Sequence, residues 1–497
     1  MTILLTQAIQ VGGITQPAGT TLTLEAGLEA DLVTRKCATF VSRPDQGITA
    51  EVFARTNPLT GVIKNLGVAA IASAPSSLAQ RGVIVFGDSR AAAETTVATN
   101  GLYTNNRGVF SLSNAIADQR MTLVRNAGVG GNTLTHLLAR YDTDVKPYAD
   151  QAAWLVLWCD LNDIDGTKTL ATMQAENDQL FAKAQADGLT VIEYLGYAPG
   201  TNAGWSTARV AQLLQYNAWR KRKQESRSGY MVIDAFAAVT DPSSSPAATA
   251  SANLTDGSGA AYHISVQGAA KIAPALAAIW NAFVPPKPSL VASVYDNYGA
   301  NSANLNVFDY GLFQGTTGTK GTGAADETVL DSGFTAGVAT GCTVKRNSGG
   351  GTAYCSVGPA SNGIGNAQKV RIAGTTAASE TYQCAITTPQ PARAVAGAAY
   401  EAKCRVRIKN PVNLHACCMR TLITIDGVAY QSRSLAESSP VVGGYPADIT
   451  LTLRVPLTQL PAGASITVFE PQVLAIFTGA GGSADIYIEQ MSFERVS

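Results

Sequence analysis

Val83-Ile84-Val85-Phe86-Gly87-Asp88-Ser89 is the stretch that decides how this chain is read. Four consecutive apolar residues form a strand buried on both faces, and Gly-Asp-Ser ends it abruptly. A parallel strand that stops there sets a serine hydroxyl at the carboxyl edge of an α/β sheet, the edge where open sheets bind their ligands. A tripeptide recurs by chance in 497 residues, so its surroundings have to carry the reading.

Working outward, residues 81–285 alternate strand and helix patterns, the signature of a parallel sheet. Strands are expected at 82–86, 122–126, 154–158, 190–195 and 230–233, with helices at 134–140, 169–186 and 207–223. Ser265 is a good N-cap for a last helix running through Ile279 and Phe283. The fold class that follows is an α/β three-layer, flavodoxin-like domain, with helices on both faces of five strands.

Three further segments follow Ser89 in fixed order. Asn126-Ala127-Gly128-Val129-Gly130-Gly131-Asn132-Thr133 closes the second strand, Asp160-Leu161-Asn162-Asp163 closes the third, and His263 precedes the last helix. Together with Gly87-Asp88-Ser89 they resemble the four blocks of the SGNH (GDSL-type) hydrolases. The resemblance implies an ester hydrolase that needs no cofactor and no metal. Its catalytic residues would be Ser89 as nucleophile and His263 as general base. The Ser89 and Gly131 backbone N–H groups and the Asn162 side-chain amide would form the oxyanion hole.

Each residue also has a plainer reading. Ser89 could simply cap a helix over 90–97, and Asn162 could make an Asx turn. Gly128, Gly130 and Gly131 could cradle a phosphate, but they miss the GxGxxG spacing and no Lys-Ser/Thr follows. The chain departs from the family pattern at three places. Arg90 stands where leucine is common after the serine. Asp160 replaces a glycine, adding bulk and charge that would reshape the acyl pocket. Ala260 occupies the position three before the histidine, where the family has aspartate. Asp256 is then the nearest upstream candidate for the third catalytic residue. The alternatives are a Ser-His dyad oriented by a backbone carbonyl, or lost catalysis.

Of the other histidines, His136 lies in a helical pattern and His415 beside Cys417 and Cys418, too small a cluster for a metal site. The basic run Arg220-Lys221-Arg222-Lys223 reads as a solvated helix face, with Leu213, Leu214 and Trp219 turned inward. Formal charge sums to zero and 14% of residues are charged, which argues against nucleic acid and anionic membrane as partners. Residues 1–6 lack the basic region and long apolar core of a signal peptide. The eight cysteines form no CxxC pair and are expected as free, buried thiols, although Cys342 and Cys355 could pair outside a cell.

At roughly 150 residues per domain the chain should hold about three. Residues 1–45 read as a small N-terminal β unit: a hairpin at Ile9-Gln10-Val11-Gly12-Gly13-Ile14, a short helix over 24–33 and a closing strand at 38–41. Residues 46–80 are a connector. Pro285-Pro286-Lys287-Pro288 starts a stiff linker, 286–325, and residues 326–497 carry the short alternating runs of an all-β, jelly-roll-like sandwich. Tyr295, Tyr298, Phe308, Tyr310 and Phe313 are expected to pack the linker into a trimer interface or to stack on sugars. This layout resembles bacteriophage tail-spike, tail-fibre and head-fibre proteins. The resemblance implies a virion protein assembled in the host cytoplasm as a homotrimer. Its N-terminal unit would meet other virion proteins, its sandwich would trimerise or bind carbohydrate, and its substrate would be an acylated host surface glycan. The competing readings are a non-enzymatic fibre that retains the scaffold, and a cellular carbohydrate esterase or lipase.

Overall fold

The computed structural model describes residues 81–97, 104–106, 108–199, 205–241, 243, 254, 263–286, 290–292, 309–376, 379–386, 393–435, 445 and 447–495, together with strands within residues 2–42. Those strands are Thr2–Leu5 paired antiparallel with Thr21–Thr23 and Ala38–Ser42, and a hairpin of Ile9–Val11 with Ile14–Gln16. The helix expected over 24–33 and the connector 46–80 lie outside the described residues.

Five parallel strands form the central sheet, in the order Thr122–Gly128, Gly82–Gly87, Trp154–Trp158, Thr190–Tyr194, Tyr230–Ile233. Period-two alternation turns successive residues to opposite faces, so the strands covered by helices on both sides are nearly continuous apolar runs, with Glu193 as the exception. Thr122–Gly128, at the edge, carries Arg125 and Asn126. Val83 and Val85 face a core made with the helices Val109–Ile116 and Val266–Phe283. Ile84 and Phe86 face the other core, made with Leu134–Asp144, Leu170–Ala186 and Thr207–Ser226. In chain order the strands run 2-1-3-4-5, so the topological switch lies between Gly87 and Trp158, directly below Ser89.

The helix expected over 90–97 is a single turn, Ser89–Ala92, and its cap is Asp88, not Ser89. The β-branched Thr95-Thr96-Val97 leaves the helix and forms a strand instead. That strand, Thr95–Val97, pairs with Thr104–Asn106, which in turn pairs with Val428–Ser434. The hairpin thereby joins an eight-stranded sheet of the C-terminal region: Thr317–Lys320, Val338–Ser348, Ser379–Ile386, Ile466–Thr478, Leu414–Ile425, Val428–Ser434, Thr104–Asn106, Thr95–Val97. A second sheet of seven strands, among them Ala399–Val412 and Ser483–Arg495, packs on it to make a sandwich. Sandwich strands begin at Thr317, inside the segment read as linker.

Some sequence expectations need correction. Phe313 is fully buried in the sandwich core and Tyr310 packs against it, so neither is an exposed sugar platform; Tyr295, Tyr298 and Phe308 lie outside the described residues. Leu214 is exposed, whereas Arg220 is completely buried, so the basic run is not wholly solvated. The seven described cysteines are buried and in no disulfide, Cys342 and Cys355 included. Among the described residues no helix is long and apolar enough to cross a membrane.

Candidate active site

Asp88 starts the site. Its carboxylate accepts the Arg90 N–H at 2.9 Å, and this fixes the turn in which Ser89 is the first helical residue. N–H groups of a first turn have no helical acceptor, so the Ser89 N–H is available to a ligand. His263 reaches Ser89 from the segment before the last helix, with Nε2 2.9 Å from Oγ. Ser265, two residues on, accepts the Gly268 N–H through Oγ at 3.2 Å and caps that helix, as its sequence position suggested. Asp256 lies outside the described residues.

The glycine block turns beside the serine: a Cβ placed on Gly130 would lie 3.9 Å from the Ser89 Cβ. Gly131 adopts φ +76°, a region that glycine enters without steric cost. Its loop is pinned from two sides. Asn162 Nδ2 donates to the Asn132 carbonyl at 2.9 Å, leaving its second amide hydrogen uncommitted by that bond. Arg140 donates through Nε to Asn132 Oδ1 at 2.7 Å and through Nη2 to the Gly87 carbonyl at 2.9 Å. Asn162 lies in the short helix Leu161–Asp165 rather than in an isolated Asx turn. Asp163 next to it accepts the Leu134 N–H, tying that helix to the start of Leu134–Asp144, and pairs with Lys168 at 2.5 Å. Ser89, Gly131, Asn162 and His263 therefore belong to one cluster of loops at the carboxyl edge of the sheet.

Arg90 and Asp160, the two charged residues that part from the SGNH-like pattern, prove to be partners. Arg90 donates to Asp88 at 2.6 Å and to Asp160 at 2.8 Å, and Asp160 also takes Arg220 at 2.8 Å. Arg220 continues to Glu193 at 2.9 Å, which is held further by Tyr230 and Asn177. Three carboxylates and two guanidinia thus alternate in one fully buried chain directly beneath Ser89. Burial alone would lower Arg90, yet Asp88 and Asp160 outweigh it and raise its pKa well above the usual range. Burial likewise works against the Asp160 carboxylate, and Arg90 and Arg220 overcome it and hold the pKa down. Asp160 accordingly points into the protein and not into an acyl pocket. It presses on Gly196, where an added Cβ would come within 2.1 Å of Oδ2.

His136 takes no part in this cluster. It is exposed and completes a capping box, its Nδ1 accepting the Thr133 N–H at 3.1 Å. His415 is buried in the sandwich. Among the described residues no group of three His, Cys, Asp or Glu is arranged to hold a metal ion.

A serine with a histidine at hydrogen-bond distance, over the switch point of a doubly wound sheet, defines the class of arrangement seen in serine hydrolases. No protein-family profile and no curated protein sequence matches the chain. Solved structures that match include a protein described as lipolytic, of the G-D-S-L family, from Desulfitobacterium hafniense DCB-2. It has 19% identity and a TM-score of 0.30, over 40% of this chain and 99% of that one. An acetylxylan esterase from Geobacillus stearothermophilus matches at 16% identity and TM-score 0.31, over 43% and 100%. Another acetyl xylan esterase matches at 20% identity and TM-score 0.30, over 41% and 100%.

Proposed function

We propose that this protein is a serine esterase that removes O-acyl groups, most simply acetyl, from a polysaccharide. The observation that carries the reading is the 2.9 Å contact between Ser89 Oγ and His263 Nε2. His263 Nε2 takes the Ser89 proton as Oγ adds to the ester carbonyl. The resulting oxyanion accepts from the Ser89 and Gly131 N–H groups and from Asn162 Nδ2. The tetrahedral intermediate collapses, His263 returns the proton to the departing sugar oxygen, and an acyl-serine is left. Water, deprotonated by His263, then adds to that acyl carbon; the second collapse releases the acid and restores the Ser89 hydroxyl.

The test is turnover of p-nitrophenyl acetate by the full chain. Ser89→Ala and His263→Ala are each expected to lower kcat by about 10³-fold or more. Equal rates in wild type and Ser89→Ala would favour the alternative, a binding fibre that keeps this fold as scaffold. The finer reading, a trimeric virion protein acting on host surface glycan, rests on the layout of an N-terminal β unit, an α/β domain and a β sandwich. A monomer in sedimentation equilibrium would count against it and for a cellular carbohydrate esterase.

A further inference from the structure

The outward face of the eight-stranded sheet is recessed, with a volume of about 420 Å³, and among the described residues lining it cations outnumber anions. A row of directly opposed residues crosses it: Gln472 faces Arg420, and Arg420 faces Arg433. Like charges placed directly across a strand pair are destabilising. Neither arginine comes within ion-pairing distance of a carboxylate among the described residues. Their partners are neutral amide oxygens instead. Arg420 donates to Gln472 through Nε at 2.7 Å, to Gln383 through Nη2 at 3.3 Å and to Gln431 through Nη1 at 3.2 Å. Arg433 donates to the same Gln431 oxygen at 2.8 Å, so one acceptor bridges two cations. Glu470, the one acidic residue among the described residues lining the recess, is hydrogen-bonded by Gln472 at 2.9 Å. With Lys345 at the rim, three cations face one anion.

A solvated sheet face does not need this arrangement. Gln472 and Gln383 are 1% and 6% exposed, so the amides form a set floor rather than mobile surface groups. Burial and, after it, the neighbouring Arg433 push the Arg420 guanidinium below its usual pKa by more than Cys418 and Glu470 raise it. Five N–H donors on a planar fork suit a carboxylate, and Arg433 commits a single nitrogen to its protein partner. The rest of the lining is amide and aliphatic, with Leu422 and Leu474 beside Asn347 and Gln383. Amides match the hydroxyls of a sugar ring and the leucines its C–H face, features that a bare inorganic anion would not use. The sheet also leads to Ser89, because Arg433 pairs in register with Asn105 of the hairpin that follows the serine's helix.

We propose that the Arg420–Arg433 recess binds a carboxylate-bearing sugar of the polysaccharide on which Ser89 acts. The link to Ser89 rests on the esterase reading; the recess itself does not. Binding is read by calorimetric titration of the full-length Ser89→Ala protein with tetragalacturonate, its methyl ester and inorganic phosphate. The acid tetrasaccharide should bind, and the ester at least about tenfold more weakly. Arg420→Gln and Arg433→Gln should each weaken binding by about tenfold or more. Glu470→Gln, which removes the opposing charge, should tighten it by roughly threefold, a gain that misfolding cannot imitate. Equal affinity for acid and ester, phosphate binding as tight as the sugar's, or no response to any of the three substitutions would overturn the proposal. So would sizing in which Arg420→Gln/Arg433→Gln converts an oligomer into a smaller species, since the recess would then be a contact between copies. The titration reads binding alone, so its failure leaves the Ser89 chemistry standing, and inactive Ser89 leaves the titration standing.

Discussion

Arg90 and Asp160 are the residues where a local reading and the structure part most instructively. Each, taken alone, is an intrusion near the candidate nucleophile Ser89. Together they are the central link of a buried chain from Asp88 to Glu193. Removing one partner from a buried pair leaves an unpaired charge and costs about 3–5 kcal/mol. Arg90→Leu should therefore lower stability by about that much in urea unfolding, and Asp160→Gly by a similar amount. Because the two share a bond, the double variant should fall short of the sum by about 1–3 kcal/mol. Strict additivity would mean that the pair is not coupled. The segments carrying Ser89, Gly131 and Asn162 stood out by their neighbours and His263 by its place before the last helix, and the structure sets Ser89 Oγ and His263 Nε2 2.9 Å apart. The Arg90–Asp160 pairing was not legible, since it depends on the register that sets Gly87 opposite Trp158. Two opposite charges just beyond the ends of adjacent strands were the available signal.

At the scale of elements, the strands of the parallel sheet were readable within a residue or two. Gly82–Gly87, Trp154–Trp158 and Tyr230–Ile233 are buried on both faces and read as apolar runs. Thr122–Gly128, largely unburied, was placed by the strand–helix alternation around it. The helix Val109–Ile116 was missed, and its N-terminus shows why: Gly108 offers no side-chain cap, and the cap comes from Glu94. The Glu94 carboxylate accepts the Phe110 N–H at 2.8 Å and the Ser111 N–H at 3.0 Å, across the hairpin between them. A cap supplied over that separation leaves no local trace. Burial raises the Glu94 pKa to about 7, more than the N–H groups of Ser111 and Phe110 lower it. The folded protein therefore holds this proton more tightly than the unfolded chain does. The associated stability is complete below the unfolded value, near 4.5, and is lost as pH rises through about 7. Over that window the loss is about 3 kcal/mol. Thermal melts of wild type and Glu94→Gln should show the wild-type Tm falling relative to the variant between pH 4.5 and 7. A constant difference across the window would place the carboxyl in water.

At the scale of the whole molecule, the strand and helix patterning marked out an α/β part and a β part, and it could not show that they share a core. The sheet face covered by Val109–Ile116 and Val266–Phe283 is continuous with the sandwich interior, with Phe110 and Trp280 in the same cluster as Leu451 and Leu453. The turn after Val109–Ile116 holds Asp118 and Gln119 both at φ +55°, a conformation that costs non-glycine residues about 1–2 kcal/mol each. The sandwich supplies what holds it there: Gln119 donates to the Thr452 carbonyl at 2.5 Å, and the Thr452 hydroxyl to Asp118 at 2.8 Å. The hairpin Thr95–Asn106 crosses the same boundary in the other direction, leaving the serine's helix to become the edge of a sandwich sheet. Unfolding the sandwich would expose that apolar face and release the hairpin six residues beyond Ser89, so the two parts cannot melt independently. Scanning calorimetry should give one cooperative transition for both, with the proposed turnover of p-nitrophenyl acetate lost at the same temperature. Ending the chain at residue 285 should yield a protein that aggregates rather than a smaller active one. Two separate transitions, or a soluble and active 1–285 fragment, would show that the shared core is dispensable and that the sandwich serves only as an appended module.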